Sequence, residues 1–150
     1  NIYQFKTAIK LSGYKYSYNM KFKVDNDIFS MYINMFNEYG LGVYTGIDLP
    51  NETTGMKGKD LSSDLLLNYT IGQYDTYSVL QLSQYITTIA SNGNRIKPHL
   101  LKGYYIGEDY VENEVVVLNT VSLEKKYLDR IKSGFRAVMS YGLGKNYMGI

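Results

Sequence analysis

Apolar residues recur at helical spacing in four stretches of the chain, and each stretch is closed by polar capping residues or glycine. Ile2, Phe5 and Ile9 lie on one face of a segment that stops at Ser12 and Gly13, which predicts a helix over 2–12. Asp25 or Asp27 caps a second helix whose apolar face is Ile28, Tyr32, Met35, Phe36 and Tyr39, ended by Gly40 and Gly42. Ser78 starts a third helix with Leu82, Tyr85, Ile86 and Ile89 on one face and Asn92-Gly93 as its stop. Ser122 caps a last helix in which Leu128, Ile131, Phe135 and Val138 recur, ending at Gly142 and Gly144.

Between these helices the pattern changes. Residues 43–62 carry Gly46, Pro50, Asn51, Gly55 and Gly58 with few periodic apolar positions, and read as an ordered loop. Loops of that length in compact domains are usually functional or interactive. Leu65, Leu66 and Leu67 form a short buried stretch leading to a turn at Ile71, Gly72 and Gln73. Arg95 to Ile106 and Glu114 to Thr120 are rich in branched and aromatic residues and are separated by Gly107, Glu108, Asp109 and Asn113, which predicts one β-hairpin. The order is helix, helix, loop, helix, hairpin, helix, an α+β arrangement with a small antiparallel hairpin and no internal domain boundary over 1–150.

Composition narrows the function classes. At 150 residues, 45% hydrophobic and 20% charged, the chain has the balance of a folded globular protein. A net charge of +2 is too small for a nucleic-acid stripe. The Tyr14, Lys15, Tyr16, Tyr18, Lys21, Lys23 run interleaves aromatics with bases, but 17 tyrosines alongside many Asn, Ile and Lys fit an AT-rich coding bias better than a nucleic-acid surface. The chain holds no cysteine, so disulfides, thiolate nucleophiles and cysteine-bound zinc are excluded. No apolar run approaches the roughly 20 residues that span a bilayer. The scattered carboxylates lack calcium-loop spacing, and the single His99, placed by the pattern inside a strand, has no evident triad or metal partners.

Four short patterns suggest serine chemistry. Ser12-Gly13-Tyr14-Lys15 and Ser122-Leu123-Glu124-Lys125 both fit Ser-x-x-Lys, Ser17-Tyr18-Asn19 fits Ser-x-Asn, and Lys132-Ser133-Gly134 fits Lys-Ser/Thr-Gly. A lysine-activated serine needs the pair one turn apart at a buried helix N-terminus. Ser12 ends a helix, Ser122 caps one, and Lys132 falls mid-helix, so all four are read as chance matches. The turn Gln73, Tyr74, Asp75, Thr76 precedes a helix N-terminus and has two readings: a surface presenting donors to a peptide carboxylate or backbone, or a structural turn in which Asp75 or Thr76 caps the helix.

Three longer segments carry a resemblance. Gly40-Leu41-Gly42-Val43-Tyr44-Thr45-Gly46-Ile47-Asp48-Leu49-Pro50-Asn51-Glu52, then Ile71-Gly72-Gln73 with the helix after it, then Ala90-Ser91-Asn92-Gly93-Asn94-Arg95-Ile96-Lys97-Pro98-His99-Leu100, resemble in order and spacing the transpeptidase domain of class B penicillin-binding proteins. The resemblance implies an interior piece of a serine D,D-transpeptidase with no cofactor and no metal. Its partners would be the peptidoglycan stem peptide, beta-lactams and cell-wall synthesis proteins. The domain would work on the extracellular face of the cytoplasmic membrane, tethered by a segment outside this chain. Asn1-Ile2-Tyr3 looks like the end of the family's Ser-x-Asn motif, which makes Asn1 the catalytic candidate; Gln73, Tyr74, Asp75 and Thr76 are the substrate-binding candidates. Ser-x-x-Lys is expected before Asn1 and Lys-Thr-Gly beyond Ile150, so the chain alone is expected to be inert and to self-associate through faces left bare. The alternative is a non-catalytic scaffold or sensor that contacts a partner through the loop at 43–62.

Overall fold

The computed structural model describes residues 2–20, 25–59 and 62–148. Helix α1 runs Ile2–Leu11 and ends where Ser12 Oγ donates to the Ala8 carbonyl. Helix α2, Asn26–Glu38, starts at Asp25, whose extended backbone lets its carboxylate accept the Asp27 N–H. Of the face predicted for it, Tyr32, Phe36 and Tyr39 turn inward, while Ile28 and Met35 stay exposed. Phe29 is 2% exposed instead, and Phe29, Tyr32 and Phe36 stack at tilted and edge geometry around Tyr69 of helix α3, Ser63–Tyr69. The leucine run at 65–67 is therefore half-buried helix, and Tyr69 at its end is the deeply buried member.

Helix α4, Val79–Ala90, begins with a complete capping box: Ser78 Oγ accepts the Gln81 N–H and Gln81 Oε1 accepts the Ser78 N–H. Its inner face differs from the apolar one predicted. Gln81, Gln84 and Thr88 are buried beside Ile89, whereas Leu82 and Ile86 are about half exposed. The cause is the loop packed against it, whose backbone carbonyls need donors that leucine and isoleucine cannot supply.

The single predicted hairpin is two separate antiparallel ladders. Strand β1 (Asn94–Ile96) pairs with β4 (Val117–Thr120), Asn94 opposite Thr120, with a bulge between Arg95 and Ile96. Strands β2 (Gly103–Ile106) and β3 (Asp109–Glu112) close on the Gly107-Glu108 turn, Ile106 opposite Asp109. His99 lies in the connection after β1, outside any strand, with Nδ1 2.8 Å from the Leu101 carbonyl. Branched and aromatic runs identify strand-forming residues but not their partners, which is why the two ladders merged into one in the sequence pattern.

Helix α5 spans Lys125–Ser140 and short helix α6 spans Lys145–Met148. Ser122 does not cap α5: Glu124 is the residue before it, and Ser122 instead donates through its N–H (2.7 Å) and its hydroxyl (2.9 Å) to the Glu38 carboxylate at the end of α2. A charged acceptor across the fold outcompetes the local cap. The central core joins Tyr39, Ile89, Val121 and Leu128, with Tyr85, Leu123 and Ile131 against it. Each such side chain stabilises the fold by about 1.5–3 kcal/mol on full burial. Phe135 and Val138, predicted to share that face, are 42% and 49% exposed.

Candidate functional site

The three segments singled out in the sequence meet in space, and side-chain groups reaching across to backbone hold them there. Within the first, the Glu52 carboxylate accepts the N–H groups of Thr45 (2.6 Å) and Gly46 (3.2 Å), folding the loop back on itself. The second segment's helix grips the same loop: Gln81 Nε2 donates to the Val43 carbonyl (2.7 Å), and Gln84 Nε2 donates to those of Thr45 (3.1 Å) and, on β1, Ile96 (2.9 Å). The third is tied by Asp48, whose carboxylate accepts Leu100 N–H (3.0 Å) and Leu101 N–H (3.4 Å). These N–H bonds, Leu100 first, hold the Asp48 carboxyl below the usual carboxylate range against a smaller opposing push from desolvation.

Gly40 has a specific role here. Its φ is +91°, and a Cβ on it would land on the Gln84 carboxamide, so only glycine leaves room for the amide that holds Thr45 and Ile96. Arg95 donates to the Asn37 carbonyl at 3.5 Å; burial lowers its pKa, and the nearby Glu52 charge pulls the other way.

The turn at 73–76 is placed beside the far end of the loop. Gln73 is exposed, and its N–H donates to the Asn68 carbonyl at 2.9 Å. The Tyr74 ring packs edge-on to Tyr69 (5.9 Å between centroids) and covers Gly58. Asp75 accepts the Gly58 N–H (2.9 Å) on one oxygen and the Tyr69 hydroxyl (3.1 Å) on the other. Thr76 and Met56 exchange bonds: Thr76 N–H donates to the Met56 carbonyl and Met56 N–H to Thr76 Oγ1, each at 3.0 Å. Burial, then the neighbouring Tyr77 and Asp75, push the Tyr69 phenol far above its ordinary pKa, so it serves as a permanent donor. Asp75 and Thr76 therefore tether the loop, and the helix cap is Ser78 rather than either of them. Asn1, the catalytic candidate, lies outside the described residues.

The short serine patterns are engaged otherwise. The Ser12 hydroxyl donates to Ala8 O, the Ser122 hydroxyl to Glu38, and Lys125 pairs with Asp129 at 2.8 Å. Lys132, mid-helix in α5, reaches Asn92 Oδ1 (2.6 Å) and the Ala90 carbonyl (3.3 Å). None of these places a lysine on a serine. Among the described residues no cluster of His, Asp or Glu could hold a metal ion.

Sequence reasoning missed Glu52, Gln81 and Gln84 as the organisers of this region. Only Gln81 carried a signal, its position three residues after Ser78 in a capping box.

Comparison with known proteins accounts for the shared segments. The family model of the penicillin binding protein transpeptidase domain matches residues 1–149. Penicillin-binding protein 2A of Bacillus subtilis (strain 168) is 42% identical over 95% of this chain and 21% of its own length. Penicillin-binding protein H of the same organism is 35% identical over 97% of this chain and 22% of its own. The structure of penicillin-binding protein 2B from Streptococcus pneumoniae (strain R6) superposes with a TM-score of 0.74 at 34% identity, covering 93% of this chain and 24% of that one. The chain thus spans about a fifth of the length of the curated relatives it matches. Its helices with a small antiparallel sheet have the fold of that neighbour, as the α+β reading expected. The chain belongs to the penicillin-binding protein transpeptidase domain family.

Proposed function

We propose that the protein carrying this chain is a serine D,D-transpeptidase of peptidoglycan, and that residues 1–150 form a supporting wall of its catalytic domain while the nucleophile lies elsewhere. The observation that carries this is the clasp itself. The three family-like segments are fixed to one another by Asp48, Gln81 and Gln84, with Glu52 folding the first back on itself, while Ser12, Ser122, Lys125 and Lys132 of the short patterns are bound to other partners.

In the reaction, a serine hydroxyl adds to the carbonyl of the penultimate D-Ala of a stem peptide. Its proton passes to a lysine, the terminal D-Ala leaves, and the amine of a neighbouring stem peptide takes the acyl group from the serine. A beta-lactam carbonyl would acylate the same serine. Asn1 enters as an amide able both to donate to the substrate and to accept from the lysine. The turn at 73–76 would flank the substrate path, with exposed Gln73 offering its carboxamide while Asp75 and Thr76 keep the loop in place. The domain would act on the outer face of the cytoplasmic membrane.

The test is the acylation rate of the full-length protein with a fluorescent penicillin. Asn1→Ala is expected to lower it at least about tenfold with the fold intact, since a positioned amide in a water-excluded cleft contributes a few kcal/mol. Asn19→Ala, in the exposed turn after α1, should stay within about 0.5 kcal/mol of neutral. Equal rates for the two variants would remove Asn1 from the mechanism.

A further inference from the structure

Asn92-Gly93 is the sole Asn-Gly step in the sequence, and its surroundings bear on a chemistry separate from transpeptidation. An asparagine deamidates when the backbone nitrogen of the next residue attacks its side-chain carbonyl carbon. Ammonia leaves, a five-membered succinimide forms, and water opens the ring to aspartate or isoaspartate. Glycine as the following residue gives the fastest reaction, because no side chain impedes the approach of its nitrogen. The uncatalysed step needs only water and two things from the protein: a free Gly N–H and room to turn the peptide.

The fold withholds both. The Gly93 N–H donates to the Thr88 carbonyl at 2.8 Å, completing the stop of α4. Gly93 is buried, has φ +91°, and sits so close to the core that a Cβ on it would lie 2.6 Å from Val121 Cγ2 and 3.2 Å from Leu128 Cδ1. Its carbonyl accepts the Val121 N–H at 2.9 Å. Asn92 itself is exposed, at φ +57°, with Oδ1 held by Lys132 at 2.6 Å. The side chain is thus open to water while the attacking nitrogen is locked.

We infer that Asn92 is a conformationally guarded deamidation site, silent in the native state and modified when the α4–β1 turn opens. Isoaspartate there adds a methylene to the backbone between α4 and β1. Thr88, Val121 and Leu128 could not then keep their contacts with Gly93, so the modified turn would not reclose. Local opening would become permanent at this point, on the same core that supports the Gln84 clasp.

The experiment incubates the full-length protein at pH 8 and 37 °C, with and without 8 M urea, and follows the peptide containing Asn92 by mass spectrometry for the gain of one mass unit. The native rate at Asn92 should be at least about tenfold below the rate in urea, because modification must wait for local opening. Leu128→Ala removes packing on Gly93 without touching Asn92 or Lys132, and should raise the native rate at Asn92 severalfold. Where that variant fails to fold, urea below the unfolding midpoint should raise it likewise. Equal rates in buffer and urea, or a native rate insensitive to both perturbations, would overturn the inference.

Discussion

Replacing Gly40 by alanine tests whether the Gln84 clasp organises this part of the fold. At φ +91° an L-residue costs about 1–2 kcal/mol in backbone strain alone. The new methyl would also displace the Gln84 carboxamide, freeing the carbonyls of Thr45, which is fully buried, and of Ile96. A stranded buried acceptor costs about 1–3 kcal/mol. With one such acceptor, Thr45, counted, the sum is about 2–5 kcal/mol, read as a fall in urea midpoint of the full-length protein. Gly13→Ala is the control: φ there is +78°, but nothing lies within 4 Å of the new methyl, so only the strain of about 1–2 kcal/mol applies. Gln84→Ala removes the obstacle, and the double variant Gly40→Ala/Gln84→Ala should be less destabilised than the sum of the two by at least about 1 kcal/mol. Equal costs for Gly40→Ala and Gly13→Ala, or strict additivity with Gln84→Ala, would refute the reasoning.

Three further outcomes are expected. The folded pKa of Asp48 is depressed by the Leu100 and Leu101 N–H groups, so its stabilisation is present above the ordinary value of about 3.9 and is lost as pH falls through the lower folded value; in Asp48→Asn, acid-side urea midpoints should decline less steeply and the Leu100 amide resonance should stop titrating. Asp75→Ala frees the exposed Gly58 N–H to water and removes one acceptor from the buried Tyr69 hydroxyl, at a cost of about 1 kcal/mol, and trypsin should then cut faster at Lys57 and Lys59; unchanged cleavage with slower penicillin acylation would instead give Asp75 a direct substrate role. This chain expressed alone should take no fluorescent penicillin and should self-associate in sedimentation, since Val79, Leu82, Ile86, Phe135 and Val138 are 42–85% exposed; an adduct at Ser12 or Ser122, or a sharply two-state monomer, would contradict this.

Much of the helical frame was legible because its signals are local. Asp25 and Ser78 cap where their sequence neighbourhoods said they would, and the stops at Gly40 and Asn92-Gly93 follow from backbone conformations that glycine and asparagine adopt at low cost. What was misread depended on partners far along the chain. The inner face of α4 looked apolar at Leu82 and Ile86, but Gln81 and Gln84 are drawn inside by carbonyls 38 and 39 residues away. Ser122 fitted a cap until Glu38, 84 residues earlier, supplied a stronger acceptor. Strand composition marked residues 94–120 as β-forming and could not say that β1 skips β2 and β3 to reach β4. The turn at 73–76 was found as a feature, while its tie to Met56 and Gly58 needed the loop's path through space.

The central claim is that the full-length protein performs acyl transfer with a serine outside residues 1–150. Labelling that protein with a fluorescent penicillin, digesting it and sequencing the adduct peptide by mass spectrometry tests this directly. One acylated serine within a Ser-x-x-Lys sequence outside these residues is the expected result. An adduct on any serine of residues 1–150, or no covalent adduct under conditions where the protein is folded, would contradict it.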